Sequence, residues 1–179
     1  FMRTFIEGLT ERNYQKSENL AHYLDLYNKW SSYVPEKDGV MIAYASIYGN
    51  TKKAAELLYD KLKAKNVDVI ITDLARCDMS KAISDAFAYG KLVLATPTYN
   101  ADVFPFMRTF IEGLTERNYQ KRTVAFIENG AWAPMAAKVM AGMFEKSKEL
   151  NILDKTVKIT CALNDASAAQ VDELAEELA

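Results

Sequence analysis

The stretch GVMIAYASIYGNTKKAAELLYDKLKA, residues 39–64, decides the fold. An apolar run at residues 40–45 leads through a polar turn into a segment whose apolar residues recur at helical spacing, namely Ala54, Leu57, Leu58 and Leu62. An apolar strand followed at once by an amphipathic helix is typical of a βαβ unit, in which helices cover a buried parallel sheet. Residues 39–64 therefore predict the first strand and the first helix of an α/β domain.

The same alternation continues to the end of the chain. It predicts five strands, at about residues 40–45, 67–72, 91–96, 122–127 and 156–163. It predicts five helices, at about residues 50–64, 79–88, 105–118, 132–149 and 167–179. One helix after each strand indicates a doubly wound five-stranded parallel sheet with helices on both faces, and ligands bind such sheets at the carboxyl ends of the strands. This pattern fits either of the two common strand orders.

Composition and charge are those of an ordinary globular protein. Half of the 179 residues are hydrophobic, 26% are charged, and the formal net charge is −2. We expect no nucleic-acid partner, because the chain has no basic field to attract phosphate backbones. We expect a cytoplasmic protein with no membrane partner, because no apolar run could cross a bilayer and the first ten residues lack a signal-peptide pattern.

The residues that bind metals or perform nucleophilic catalysis are few. Cys77 and Cys161 have no CxxC spacing, so we expect neither a disulfide nor a zinc site and interpret both as packing residues. One histidine, His22, cannot supply the two or three imidazoles typical of zinc or iron sites, so we expect no metal. No nucleophile elbow or nucleophile–base pair is evident, and we predict no catalytic residue.

The first sixteen residues copy an internal segment. FMRTFIEGLTERNYQK occurs at residues 1–16 and again, letter for letter, at residues 106–121. Natural repeats diverge and recur with a regular period, so this identity indicates an engineered or artefactual duplication. The first copy could pack on the outside, swap into a neighbouring molecule to give a homo-oligomer, or compete with the second copy for one groove. We interpret it as an appendage.

Residues 17–38 separate this appendage from the domain at residues 39–179. SENLAHYLDLYNKW, residues 17–30, predicts a helix with Ser17 as a candidate N-cap. SSYVPEKD, residues 31–38, is typical of a linker. We therefore expect a connector helix and a linker ahead of the domain.

The turn after the first predicted strand has the features of a phosphate cradle. A helix N-terminus there offers free N–H groups, Gly49 lets the backbone approach, and Ser46, Asn50 and Thr51 add side-chain donors. The spacings of a Walker loop and of a GxGxxG dinucleotide turn are both missing, which favours a monophosphate ester over ATP or NAD. The alternative is that Asn50 and Thr51 only cap the helix and that Ser46 only satisfies the turn.

Two later loops place aromatic side chains at the same edge of the sheet. TPTYNADVFP, residues 96–105, follows the third strand, and ENGAWAP, residues 128–134, follows the fourth. Flat rings in these loops could enclose an isoalloxazine, so Tyr99 and Trp132 are candidates for ring stacking. The alternative is that both are partly buried packing residues.

Together, SIYGNT, TPTYN and ENGAW resemble the motifs of flavodoxin-like FMN domains. More narrowly, residues 27–51, YNKWSSYVPEKDGVMIAYASIYGNT, resemble the junction into the C-terminal domain of flavodiiron proteins, the A-type flavoproteins. The resemblance covers about residues 17–179. It implies the strand order 2-1-3-4-5 and one bound FMN.

The resemblance also implies the residues of the FMN site. The phosphate would be held by Ser46, Ile47, Tyr48, Gly49, Asn50 and Thr51. The flavin ring would contact Thr96, Pro97, Thr98, Tyr99 and Asn100 on one side, and Asn129, Gly130, Ala131 and Trp132 at its other edge. In the family, FMN takes electrons from rubredoxin or a reductase and passes them to a diiron centre that reduces O₂ or NO. That centre lies in a separate histidine-rich domain, which the one histidine of this chain could not form.

Two other functions fit the same pattern. An FMN-dependent quinone or NAD(P)H reductase would share the fold but need an added substrate pocket, and no insertion in the sequence would build one. An engineered scaffold could use the duplicated helix to test packing, swapping or switching.

The sequence departs from the family pattern after Asn100, where Ala101 and Asp102 stand in place of glycine-containing residues. We expect a positive φ to be harder to reach there, because a side chain disfavours it. We also expect the Asp102 carboxylate to disfavour negative charge on a reduced flavin.

Overall fold

The computed structural model describes residues 20–179, whose contacts divide into two units with the boundary between Val34 and Pro35. The described part of the first unit contains one helix, α1 (Leu20–Ser31), which has no buried residue. A surface ion pair joins Lys29 to Asp25, one turn earlier, at 2.8 Å. The predicted appendage at residues 1–16 and the candidate N-cap Ser17 lie outside the described residues.

Strands and helices alternate along the second unit. The strands are β1 (Lys37–Tyr44), β2 (Val69–Asp73), β3 (Tyr89–Tyr99), β4 (Asp102–Val103), β5 (Thr123–Asn129) and β6 (Asn151–Ile159). The helices are α2 (Asn50–Ala64), α3 (Met79–Ala88), α4 (Pro105–Thr115), α5 (Ala136–Met143) and α6 (Asp165–Leu178). The predicted alternation of five strands with five helices is confirmed, and the short β4 is an addition to it.

The sheet has the strand order β2-β1-β3-β5-β6, and β4 pairs with β3 outside this path. The five long strands are parallel, whereas β4 runs antiparallel to β3. With β4 set aside, this is the order 2-1-3-4-5 that the resemblance implied. The chain leaves β1 for β2 on one side and later returns to β3 on the other, so a crevice opens beyond the carboxyl ends of β1 and β3.

Successive residues of the central strands face opposite sides of the sheet and supply two cores. One core joins the sheet to α2 and α6 and contains Ile42, Val93 and Ile127. The other joins the sheet to α3, α4 and α5 and contains Met41, Leu94 and Phe126. Helices therefore cover both faces, as predicted. Within residues 20–179, no helix has the length and apolar character needed to span a bilayer.

The boundaries of β1 and β6 differ from the predicted ones in ways that have a physical reason. β1 begins at Lys37, inside the predicted linker, because Lys37 pairs with Tyr89. Lys37 is exposed and polar, so the apolar pattern of the sequence did not include it. β6 covers Asn151–Ile159 rather than residues 156–163, because this edge strand is largely exposed and its pairing with β5 shifts between Val124 and Phe126. Exposure and the irregular register remove the periodicity from which a strand is predicted.

Two helices are shorter than predicted. α4 ends at Thr115 because Asn118 adopts φ 56° and the N–H of Tyr119 donates to the carbonyl of Leu114, an arrangement typical of a helix C-terminus. α5 begins only at Ala136, after Pro134, which disfavours a helical conformation of the residue before it. The predicted helix at residues 132–149 thus becomes a loop, a short helix and a second loop.

Asn100 and Ala101 form the two-residue turn between β3 and β4. Tyr99 pairs with Asp102 across the turn, and φ is 51° at Asn100 and 58° at Ala101. Two consecutive positive φ values are what a tight hairpin requires, and they usually select glycine. The expected difficulty of positive φ without glycine is thus a steric cost that both residues bear, because pairing of the strands holds them in this conformation.

We expect Ala101→Gly to raise the free energy of unfolding by about 1 kcal/mol, because glycine adopts positive φ without steric cost. Chemical denaturation measured by far-UV circular dichroism would test this. The matched control is Ala169→Gly on the exposed surface of α6, which should lower stability by about 1 kcal/mol. A loss of stability in both variants would contradict the strain at Ala101.

Candidate functional site

A cleft of about 250 Å³ lies at the carboxyl edge of the sheet. Four chain segments enclose it: the turn after β1, the end of β3, the end of β5 with the loop that follows, and the turn after β6. Its lining residues are Ser46, Ile47, Tyr48, Asn50, Thr51, Pro97, Thr98, Asn129, Gly130, Ala131 and Cys161. The cleft thus occupies the crevice at which a sheet of this strand order binds ligands.

The amino end of α2 opens into this cleft without a side-chain cap. Gly49 is the N-cap residue at φ 85°, and no side chain among residues 20–179 caps the first turn of the helix. A Cβ at Gly49 would meet no atom within 4 Å, so there is room for a side chain. Glycine is favoured because the backbone is in the left-handed conformation. The N–H of Gly49 donates to Oγ of Ser46 at 3.1 Å and closes the turn. The next N–H groups have no partner within the helix and are suited to an anion.

Asn129 connects three of the four segments. Its Nδ2 donates to Oγ1 of Thr51 at 3.4 Å and to the carbonyl of Cys161 at 3.3 Å. Thr51 is 2% exposed, so its hydroxyl has a fixed environment. Because that oxygen accepts from Asn129, its proton is available for a bond to a ligand.

Thr98 and Glu128 fix the start of α5. Oγ1 of Thr98 accepts from the N–H groups of Met135 at 3.0 Å and Ala136 at 3.2 Å. Oε2 of Glu128 accepts from the N–H of Ala137 at 3.0 Å. Side chains of β3 and β5 therefore hold the end of the loop at residues 130–135 by hydrogen bonds.

Three aromatic side chains stand around the cleft. Tyr48 is 90% exposed, Trp132 is 91% exposed and Tyr99 is 49% exposed. The ring of Tyr99 packs edge-on against Phe104, with the centroids 5.5 Å apart. These exposures leave the faces of Tyr48 and Trp132 available to a planar ligand, because no core packing holds them.

The Asp102 carboxylate does not act as an isolated charge. Nη2 of Arg108 donates to both of its oxygens at 2.5 Å, and the N–H of Val103 donates to Oδ1 at 2.7 Å. These hydrogen bonds hold the pKa of Asp102 below its usual range. The expectation that Asp102 alone would oppose negative charge in the cleft has to be corrected, because Arg108 largely neutralises it.

Ten of the fifteen predicted site residues line the cleft. The other five do not line it, namely Gly49, Thr96, Tyr99, Asn100 and Trp132. Thr96 is fully buried beneath the cleft, and its hydroxyl bonds to the carbonyl of Pro97 at 3.4 Å. Gly49 shapes the turn, and the remaining three stand at the mouth of the cleft or beside it.

Sequence reasoning missed two contributors to the site. Cys161 lines the cleft, is exposed and has φ 65°, so its interpretation as a packing residue is wrong, whereas Cys77 does pack against the core. The predicted parallel topology could have indicated Cys161, because it brings the carboxyl end of β6 to the same edge of the sheet as the carboxyl ends of the other strands. Glu128 gave no pattern signal, because its partner, the N–H of Ala137, is a backbone group of another element.

A larger cavity of about 560 Å³ lies elsewhere, between the segments that follow α4 and α5. These segments lead into β5 and β6, so this cavity is at the amino edge of the sheet. Its lining includes Glu116, Lys146 and Lys148 but no glycine-containing turn. Among residues 20–179, no cluster of three or more His, Cys, Asp and Glu side chains could hold a metal ion.

The fold is that of a doubly wound α/β protein, and the cleft at its switch point is suited to a phosphate-bearing ligand. The flavodoxin family profile matches residues 42–173, so the chain belongs to the flavodoxin family. FMN is the cofactor of this family. The cleft fits FMN, because it joins an open helix N-terminus for the phosphate to loops with exposed aromatic rings.

Several known proteins are similar to this chain. An uncharacterized protein of Methanocaldococcus jannaschii is 30% identical over 87% of this chain and 40% of its own length. The anaerobic nitric oxide reductase flavorubredoxin of Enterobacter sp. (strain 638) is 27% identical over 63% of this chain and 24% of its own length. The chain thus spans less than half of the length of these curated relatives.

A solved structure shows the same fold. The flavodiiron protein from Giardia intestinalis superimposes on 90% of this chain and 40% of its own chain, with a TM-score of 0.83 at 15% identity.

The pairing of Asp102 with Arg108 makes a pH-dependent contribution to stability. A carboxyl whose pKa is lowered in the folded state stabilises the fold above its ordinary pKa of about 3.9, and this contribution is lost as the pH falls through the lowered value. We expect Asp102→Asn to cost at most about 1 kcal/mol at neutral pH, because both side chains are partly exposed, and to cost less at about pH 3, below the ordinary pKa of the carboxyl. Urea unfolding at both pH values would measure the difference, with Asp60→Asn on the exposed face of α2 as the control. A cost independent of pH would contradict the ion pair.

Proposed function

We propose that this chain binds one FMN in the cleft and transfers electrons through it. The uncapped amino end of α2 carries the proposal, because its N–H groups are directed at a cleft that other polar side chains border. A helix end at the edge of the sheet that lacks a protein cap is suited to a ligand phosphate.

In this proposal, the turn after β1 holds the phosphate. The N–H groups at the start of α2 and the hydroxyl of Thr51 donate to its oxygens, and Asn129 orients that hydroxyl. Ser46 keeps the turn closed through the N–H of Gly49. The phenol of Tyr48 is solvent-exposed and is not needed as a donor, so its backbone contributes more than its hydroxyl.

The flavin ring lies between the loop after β3 and the loop after β5. Pro97 and Thr98 border one side, and Gly130 and Ala131 border the other. Tyr99 and Trp132, at the margin of the cleft, cover the parts of the ring that extend out of it. Thr96 and Asn100 lie beside the ring. Thr96 is buried and contributes through its backbone, and Asn100 contributes by forming the tight turn.

Electron transfer needs no acid, base or nucleophile from the chain. Bound FMN supplies reversible electron uptake and release, and the protein supplies binding, orientation and local charge. The pair of Arg108 with Asp102 keeps the charge near the β3–β4 turn close to neutral. The cleft opens to solvent, which leaves one edge of the ring accessible to a redox partner.

We further propose that the chain is the flavin domain of a larger system of the flavodiiron type. Rubredoxin or a reductase would deliver electrons to FMN, and a diiron centre outside these 179 residues would use them to reduce O₂ or NO. Two observations support this: the similarity to a nitric oxide reductase flavorubredoxin and the small part of that protein that the chain spans.

FMN binding is tested first by absorption. The purified protein, with FMN added, should show bands near the generic flavin positions of ~375 and ~450 nm, and the flavin released by heat should be FMN. Reduced rubredoxin should then bleach these bands much faster than NADH or NADPH does. A protein that takes up no FMN would overturn the proposal, and rapid direct oxidation of NAD(P)H with a quinone would favour a reductase instead.

Substitutions in the turn test how the phosphate is held. We expect Thr51→Ala to weaken FMN binding about ten- to a hundredfold, because one buried hydrogen bond to a charged group is worth about 1.5–3 kcal/mol. Tyr48→Phe should change the affinity less than threefold, because the phenol is exposed. Flavin fluorescence titration measures both dissociation constants, and equal losses from the two variants would contradict these roles.

A further inference from the structure

Helix α5 begins in a different way from α3 and α6, the helices that follow β2 and β6. Asp78 caps α3 by accepting from the N–H groups of Ser80 and Lys81, and Asn164 caps α6 within a capping box. At α5 the N-cap residue is Met135, and no side chain of the helix supplies the cap. The free N–H groups of its first turn must therefore find acceptors elsewhere, because leaving them buried and unpaired would be costly.

The acceptors come from two neighbouring strands. Thr98, near the end of β3, accepts from the N–H groups of Met135 and Ala136, and Glu128, near the end of β5, accepts from the N–H of Ala137. β3 and β5 are paired directly, with Thr96 opposite Glu128. The amino end of α5 is thus joined to two adjacent inner strands of the sheet by three hydrogen bonds.

These bonds also fix the loop at residues 130–135, because they hold its second end. The first end is held by the N–H of Gly130, which donates to the carbonyl of Ile159 at 3.0 Å. The loop folds tightly against the sheet, since a Cβ on Gly130 would lie 3.2 Å from Cβ of Pro134 and 3.3 Å from Oγ1 of Thr98. Between its two fixed ends the loop presents Ala131 and Trp132.

Glu128 is well suited to this task and is otherwise difficult to explain. It is 3% exposed, and its other oxygen, Oε1, lies 3.9 Å from Nζ of Lys158. Burying a carboxylate is costly unless hydrogen bonds and nearby positive charge stabilise it, and a helix N-terminus offers both. The carboxylate also fills the amino end of α5, which leaves the amino end of α2 as the open one at the cleft.

We propose that Glu128 is a positioning residue for the cofactor, acting through Ala137 and the 130–135 loop without contacting FMN. The inference rests on the proposed function, because the loop matters only if it borders FMN. Its carboxylate directs the ligand phosphate to α2 by occupying the competing helix end, and its hydrogen bond holds the loop in the conformation that accepts the ring.

Amide hydrogen exchange on the protein without FMN, followed residue by residue by NMR, tests the structural part. Glu128→Ala should accelerate exchange of the Ala137 amide at least about tenfold, ~1.4 kcal/mol of lost protection. Glu128→Gln should restore most of the protection, because the amide oxygen can still accept. Thr98→Val should accelerate exchange of the Met135 and Ala136 amides but leave the Ala137 amide protected. Unchanged protection of Ala137 in Glu128→Ala would overturn the proposal.

FMN titration of the same variants tests the functional part. Glu128→Ala should raise the dissociation constant about tenfold, and Glu128→Gln should recover most of the affinity. Glu177→Gln, which removes an exposed charge from α6, is the control and should change neither readout. Lost protection at Ala137 with unaltered affinity would overturn the positioning role. Failure of the unmodified protein to bind FMN would instead overturn the proposed function, and the exchange data would still show whether Glu128 holds the loop.

Discussion

Parallel pairing of β3 with β1 on one side and β5 on the other is the constraint on which the cleft depends. The side chains of residues 92–95 in β3 are fully buried, so helices must cover the sheet on both faces. α2 lies on one face and α4 on the other, and the chain segments that lead to them diverge at the carboxyl ends of β1 and β3. The gap between these segments is the cleft, and residues from β5 and β6 complete it.

Polar side chains then join the segments around the cleft by hydrogen bonds. Asn129 joins the turn before α2 to the turn after β6, and Thr98 with Glu128 joins the next loop to the sheet. Throughout residues 20–179, every buried side-chain nitrogen or oxygen has a hydrogen-bond partner. The N–H groups at the amino end of α2 are backbone donors that face this cleft.

Much of the fold could be predicted from the sequence, because buried strands and amphipathic helices leave a periodic signal. The boundaries of α2 and α3 agree with the prediction, since each has a strong apolar face and a clear start. β6 and α5 were predicted less well, because exposure, a shifted register and Pro134 disturb the pattern. The turn after β1 was predicted as a ligand loop because it is rich in hydroxyls, contains glycine and precedes a helix, and its residues do line the cleft.

The sequence by itself determined the class of fold, the edge of the sheet that carries the cleft and the loops that border it. These follow from local periodicity and from turn chemistry, which neighbouring residues specify. Only the tertiary structure decided that Cys161 lines the cleft and that Arg108 neutralises Asp102. It also decided that Glu128, in β5, accepts a hydrogen bond from the amino end of α5. Each of these depends on the distance between groups on different elements, which is set by strand order and packing and leaves no periodic signal in the chain.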